Sequence, residues 1–284
     1  MAVGVYGAFG LLTWFHDALP WWLIVPLAGY LLCLQGSLQH EAVHGHPTPW
    51  AGVNEALVFP NLWLWMPFRL YRRCHLAHHR VEVLTDPLDD PESFYVTAED
   101  YARSSAPTRV ILWARNTALG RLLLGPAIVV WTLYKDLFQK LRRGDTSELG
   151  DWGLNLLAVG LVLGWVLWVC GIPLWAYLLL YVYPGISGTL LRSFLEHQAS
   201  DKAGERSVVV EAGPVFSLMF LNNNLHVLHH DEPGLAWYRL PARFRQRRGE
   251  LLATNGGYRY GGYLEIIWRY LLRPKEAPIH PSNG

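Results

Sequence analysis

The sequence predicts an all-α integral membrane fold: four transmembrane helices in two hairpins, with a cytoplasmic helical cap. Three observations carry that reading. Of 284 residues, 51% are hydrophobic and only 17% charged, too apolar for an ordinary soluble domain. Several stretches approach the roughly 20 apolar residues that a spanning helix needs. The basic residues gather on one set of connections and are missing from the other, as the positive-inside rule demands of a multi-pass chain.

The elements follow in order. Residues 2–15 are apolar but short; at about 1.5 Å per residue they fall short of a hydrocarbon core of roughly 30 Å, so they span only with local thinning of the bilayer. Residues 21–38, 152–170 and 174–191 are the better spans. The turns between them, residues 16–20 and 171–173, are tight, contain proline and carry no Lys or Arg. Arg69, Arg72, Arg73, Arg80, Lys135, Lys140, Arg142, Arg143, Arg239, Arg243, Arg245, Arg247 and Arg248 lie in the remaining segments. Those segments, 39–151 and 192–284, are therefore assigned to the cytoplasmic cap, with both termini inside. Trp21, Trp22, Trp152 and Trp175 stand at span ends, where an aromatic belt is expected. Two further apolar stretches, 57–68 and 122–134, contain Pro60, Pro67 and Pro126 and are expected as interfacial or re-entrant helices. Gly160 and Gly164 form a GxxxG pattern that permits close helix packing. The whole chain, 1–284, reads as one membrane domain, with no cleavable leader expected at MAVGVYGAFG. Cys33, Cys74 and Cys170 are too scattered for a disulfide framework or a CxxC site, and a net charge of +1 gives no reason to expect a nucleic-acid partner.

The chemistry lies in the histidines. Nine of the twelve fall into a pattern: His40-Glu-Ala-Val-His44, His75-Leu-Ala-His78-His79, His197 just after the last span, and His226-Val-Leu-His229-His230. Positions i, i+3 and i+4 share one helix face, so each box points its imidazoles in one direction. Such imidazoles would repel if charged and leave nitrogens unpaired if neutral and buried; a metal resolves both. One ion seldom takes more than six ligands and a catalytic ion keeps a position open, so nine imidazoles imply two ions. Imidazole suits Zn, Cu, Fe and Ni alike, and spacing does not choose among them. His16 and His280 are expected as ordinary hydrogen-bonded histidines, and His46 as at most a supporting donor. Glu41, Asp86, Glu196 and Asn222 are candidates to hold the ligands in place, because a metal-bound imidazole usually donates its other ring N–H to such a group. Arg72 and Arg73 are candidates for an anionic head group, or plain positive-inside charges.

Two other classes fit less well. His40-Glu41-Ala42-Val43-His44 also matches the HExxH zinc-protease pattern, but that would leave both HxxHH boxes unexplained. A metal transporter or storage protein would place ligands along the spans, and residues 152–191 contain no His, Asp or Glu.

In order and spacing, the boxes resemble the membrane fatty acid desaturase superfamily, over residues 39 to 241. The resemblance implies two helical hairpins, a cytoplasmic cap and a histidine-rich centre of two iron ions, with His40, His44, His75, His78, His79, His197, His226, His229 and His230 at the ligand positions. It implies an O₂-dependent oxidoreductase acting on unactivated C–H bonds. The leading expectation is a desaturase for a fatty-acyl or similar aliphatic substrate; a hydroxylase or a decarboxylative alkene-forming enzyme is the alternative. The segments NNNLHVLHHDEPG (222–234) and LTDPLDDPE (84–92) look most like bacterial members, which implies an inner-membrane location. With no fused cytochrome b5 motif, electrons are expected from a separate ferredoxin-, rubredoxin- or cytochrome b5-like carrier and its reductase.

Overall fold

A computed structural model, described here for residues 1–281, is mostly helical and divides into two compact units, Met1–Arg72 with Gly125–Thr189, and Arg73–Leu124 with Leu190–Gly284.

The first unit contains the apolar helices, except for residues 190–196 at the end of the last. Among the described residues three are long and apolar enough to cross a membrane: α2 (Trp21–Val43); α9 (Leu149–Leu163), which continues as a π-helical stretch to Val169; and Leu174–Glu196. The last consists of α10 (Leu174–Tyr177), a π-helical stretch over Leu178–Val182, and α11 (Tyr183–Glu196). The shorter α1 (Ala2–Trp14) packs on α2, and Thr13 Oγ1 accepts from Trp165 Nε1 at 2.8 Å. Both longer helices outrun the expected spans, so that α2 carries His40 on its last turn and α11 ends beside His197.

Close packing runs along a different glycine seam from the one expected. A Cβ on Gly160 would meet nothing within 4 Å, and one on Gly164 would meet only Trp168 of its own helix. At Gly185 a Cβ would lie 2.5 Å from Leu32 Cβ, and at Gly29 one would lie 3.1 Å from Pro184. Gly29 and Gly185 are therefore what let α2 and α11 touch backbone to backbone. Trp21, Trp22 and Trp175 are exposed as a belt requires, but Trp152 is buried and packs against Tyr134.

The stretch expected as a helix over 57–68 is not one. The short α3 (Ala51–Leu57) ends where it begins, and residues 58–67 have no regular structure; Leu64 takes φ +67. Irregular backbone among apolar helices is tolerated only where its polar groups find partners. Here the helices supply them. Tyr6 of α1 and Gln35 of α2 donate to the Pro60 carbonyl, and Tyr177 donates to the Leu62 carbonyl at 2.5 Å. Gln39 accepts from Trp63 Nε1, and Asn155 of α9 accepts from Asn61. These polar residues in apolar helices thus serve the loop. The other short stretch, 122–134, falls mainly in α8 (Gly125–Arg142), whose Trp131, Tyr134 and Phe138 are exposed.

The second unit is built from short helices. The helix α4 (Phe68–His78) leads into it, followed by α5 (Ala98–Arg103), α6 (Ala106–Ala114) and α7 (Ala118–Leu123). Thr97, Ser105 and Thr117 cap the last three, each accepting a backbone N–H of the first turn, the usual role of a hydroxyl at that position. After α11 come α12 (Pro214–Met219), α13 (His226–Asp231), α14 (Leu240–Thr254) and α15 (Tyr263–Tyr270), with β1 (Val209–Val210) parallel to β2 (Arg259–Tyr260). A core of Val209, Leu225, Val227, Leu228, Leu240, Phe244 and Leu251 clamps α13 between β1 and α14.

Candidate metal centre

Seven of the nine histidines belong to the second unit. His75 and His78 leave one face of α4, and the His79 N–H still donates to the His75 carbonyl, so all three share one helical face. The second HxxHH box forms α13, a helix of six residues. It is launched by a turn in which Leu221 and Asn222 both take left-handed φ, +47 and +60, and it is held by the bond from Val227 N–H to the Val208 carbonyl. His197 is fixed by a bridge to Ser207.

Their Nε2 atoms converge. His197 Nε2 lies 3.0 Å from His78 Nε2 and 3.0 Å from His226 Nε2, and His226 Nε2 lies 3.1 Å from that of His230. These four residues each offer a ligand atom within 4.8 Å of the others. A second convergence joins His79 Nε2 to those of His75 and His229, each at 3.1 Å. Imidazole nitrogens about 2.0–2.1 Å from a shared ion stand roughly 3 Å from one another, which is the spacing found. In the first unit, the His40 and His44 rings lie with centroids 4.8 Å apart, tilted by 57°, and His40 is buried.

The outward nitrogens are held as a metal site requires. His78 Nδ1 donates to Asp90 and His75 Nδ1 to Glu92, both at 2.8 Å. His226 Nδ1 donates to Asn223 Oδ1 at 3.2 Å, and Asn223 in turn donates to Glu196, which also forms an ion pair with Arg192. With Nδ1 carrying the proton, the Nε2 lone pair is left pointing inward, the arrangement that fixes tautomer and raises ligand basicity. Burial, reinforced by neighbouring imidazoles, holds His197, His226 and His230 well below the ordinary histidine value and His79 down at about 3. They are therefore neutral, as ligands must be. His78 goes the other way, to about 9, because the carboxylates of Glu92 and Asp90 together outweigh its burial. Those carboxylates would equally stabilise the positive charge of an ion. Converging Nε2 atoms, with carboxylates behind two of the rings, fit a di-metal centre.

The supporting residues differ in part from those expected. Glu196 reaches His226 both through Asn223 and at 3.5 Å directly. Asn222 does not turn its amide to a ligand: it donates to the Trp237 carbonyl, and its neighbour Asn223 takes the role. Asp86 accepts from the N–H groups of Leu88 and Asp89 and so shapes the turn, whereas Asp90 and Glu92 of the same segment hold His78 and His75. Glu41 is buried in the first unit beside His40. Sequence reasoning does not single out Asp90 and Glu92, although both lie in LTDPLDDPE; the usable signal is an acidic, proline-bounded turn a dozen residues after a histidine box. His16 sits 2.9 Å from the Thr13 carbonyl, and His280 is buried 3.0 Å from Thr85 Oγ1, both ordinary hydrogen-bonded histidines. His46 is half-buried, its N–H on the Glu41 carbonyl.

Several of the basic residues assigned to the cytoplasmic cap are paired with acids. Arg243 pairs with Glu232, Arg247 with Asp231, Glu232 and Glu250, and Arg248 with Glu211.

Compared with known families, residues 17–262 match the family model described as fatty acid desaturase. No curated protein matches the chain in sequence.

Proposed function

The chain belongs to the fatty acid desaturase family, whose members are membrane oxidoreductases, and from that premise we propose that it is a di-iron oxidase that introduces a C=C bond into a fatty-acyl or similar aliphatic chain. The observation that carries the reading is the convergence of buried Nε2 atoms whose Nδ1 atoms are tied to Asp90, Glu92 and Asn223. In this reading His78, His197, His226 and His230 hold one ion. His75, His79 and His229 serve the other, with His40 and His44 as the remaining ligands. Bound there, iron supplies the reduction of O₂ and the removal of hydrogen from an unactivated C–H bond.

The chain's own residues keep that chemistry in place. Asp90 and Glu92 keep the Nδ1 protons of His78 and His75 and so prevent those rings from rotating. Glu196, through Asn223, does the same for His226. The four-electron reduction of O₂ to two waters takes two electrons and two protons with the two substrate hydrogens, and two more of each from outside. The reading therefore includes a separate ferredoxin-, rubredoxin- or cytochrome b5-like donor with its reductase. It also places the site and both termini on the cytoplasmic side of a bacterial inner membrane, as the distribution of Lys and Arg supports.

The test is mass spectrometry of lipids and small aliphatic metabolites from cells expressing the intact protein or His229→Ala, together with iron per purified chain. A species short by two hydrogens, present only with the intact protein, is expected, with about two irons per chain and less in the variant. A species gaining one oxygen would replace desaturation by hydroxylation. Full iron and full turnover in His229→Ala would overturn the site.

A further inference from the structure

Two cavities in the first unit lie along one face of α9. The smaller, about 20 Å³, is bordered by Gln39, Asn61, Asn155, Glu55, Arg69 and Asp151. The larger is an apolar groove of about 320 Å³, open to the surface at the exposed Leu161 and bordered also by Phe9, Val162 and Trp165. On α9 the residues used are 151, 154, 155 and 158 for the first and 161 and 162 for the second, which is a single helical stripe. The segment between the cavities is shared: Pro60 and Leu62 border the apolar one, and Asn61 the polar one.

The small cavity contains an unmet donor and an unmet acceptor. Gln39 and Asn61 are 3% and 2% exposed, and neither Gln39 Nε2 nor Asn61 Oδ1 has a partner. Their orientations are not arbitrary. Gln39 must turn its oxygen to the Trp63 indole, which can only donate, and Asn61 must turn its nitrogen to the Met66 carbonyl, which can only accept. One N–H and one C=O are therefore left over, and each costs about 1–3 kcal/mol if buried unpaired. A space of this size admits one water-sized group. Charge narrows the choice further, because the lining includes two carboxylates, Glu55 and Asp151, against a single Arg69 already paired with Glu55 at 2.7 Å. An anionic head group finds no free cation there.

We propose that this cavity binds the neutral hydroxyl end of an aliphatic substrate, accepting from Gln39 Nε2 and donating to Asn61 Oδ1, with the chain lying along α9 against Leu161 and Val162. A water would satisfy the amides equally but would leave the apolar groove on the same stripe without an occupant from the site. The inference rests on the oxidase reading and names its substrate class: a long-chain alcohol in preference to a free fatty acid.

The experiment is competition binding on the purified full chain in detergent. The probe is hexadecanol carrying a mid-chain diazirine, with photolabelled peptides mapped by mass spectrometry. Labelling within α9 is expected, displaced by hexadecanol at about tenfold lower concentration than by hexadecane or palmitate, the worth of one to two neutral hydrogen bonds. Gln39→Met, close in volume but without the donor, should erase that preference. Equal displacement by hexadecane would mean that the cavity holds only water, and preference for palmitate would mean that the charge argument is wrong; either overturns the proposal. The competition on the unaltered protein decides even if the variant does not fold. Binding needs no turnover, so an iron-loaded protein without the preference sinks this inference alone, while an iron-free protein that keeps it counts against the oxidase reading.

Discussion

Removing the carboxylate of Asp90 is the sharpest test of how the metal centre is held. Its side chain is 1% exposed and accepts three hydrogen bonds: from His78 Nδ1 at 2.8 Å, Thr85 N–H at 2.8 Å and Glu92 N–H at 2.9 Å. Asp90→Ala leaves three donors in a buried site, each costing about 1–3 kcal/mol. Part returns as relaxation at Thr85, a β-branched residue held at φ +77, where strain of about 1–3 kcal/mol is stored. The net loss is about 3–5 kcal/mol, within reach of total unfolding for a marginal domain. Asp90→Asn is the gentler probe, since it retains one acceptor and loses the charge. Loss of a partner to a ligating imidazole costs about 10–100-fold in metal affinity. Iron per chain, measured by plasma mass spectrometry after dialysis against a graded chelator, should fall in Asp90→Asn and more steeply in Asp90→Ala. Asp86→Asn, in the same turn but bonded to Leu88 and Asp89, should stay near the intact value. If Asp90→Asn keeps full iron at every chelator strength, or if Asp86→Asn loses as much, the assignment of Asp90 to His78 is wrong.

Glu92→Gln should also weaken iron retention, but less than Asp90→Asn, because Glu92 is about one-third exposed and water can take its place; the same chelator series checks this. Asn223→Ala should lower iron content by freeing His226, whereas Asn222→Gly, suited to φ +60 and away from the ligands, should keep its iron. Gly185→Ala should destabilise the first unit by about 1–3 kcal/mol through overpacking on Leu32, while Gly160→Ala should be neutral or stabilising by up to about 1 kcal/mol, read as thermal unfolding in detergent. Removing iron with a chelator should lower the melting temperature of the intact protein, because a ligand that binds only the folded state stabilises it; the shift should shrink in Asp90→Asn.

Legibility followed the length scale of the interaction. Three long helices could be read from hydropathy because burial in lipid acts on whole 20-residue windows. The glycine seam could not: Gly160 and Gly164 match a motif yet meet no neighbour, while Gly29 and Gly185 match none and carry the contact. A helix face is chosen by what lies opposite, and nothing local in sequence records that. The loop over 58–67 reads as a helix in the sequence because its residues are apolar. Its true signature lies elsewhere in the chain, in polar residues such as Tyr6, Gln35 and Asn155 on otherwise apolar helices, which make sense only once a backbone needs them.

The site divides along the same line. Histidines at i, i+3 and i+4 announce themselves because helical periodicity brings them to one face before any tertiary contact forms. Their partners answer to turn geometry, which side-chain spacing does not encode. The acids of the turn after α4 show this: Asp86 and Asp90 are four apart and chemically identical, yet one closes the turn on its own backbone and the other reaches His78. What separates them is Thr85, whose left-handed backbone points its N–H at Asp90 and whose hydroxyl meets the buried His280. The C-terminal segment also touches the site through Lys275, which donates to the His197 carbonyl at 2.7 Å. The imidazoles are thus oriented by residues from both ends of the unit, and the precision of a metal site depends on such a supporting shell. Substitutions at Thr85 or Lys275 should therefore loosen iron binding without removing a single ligand.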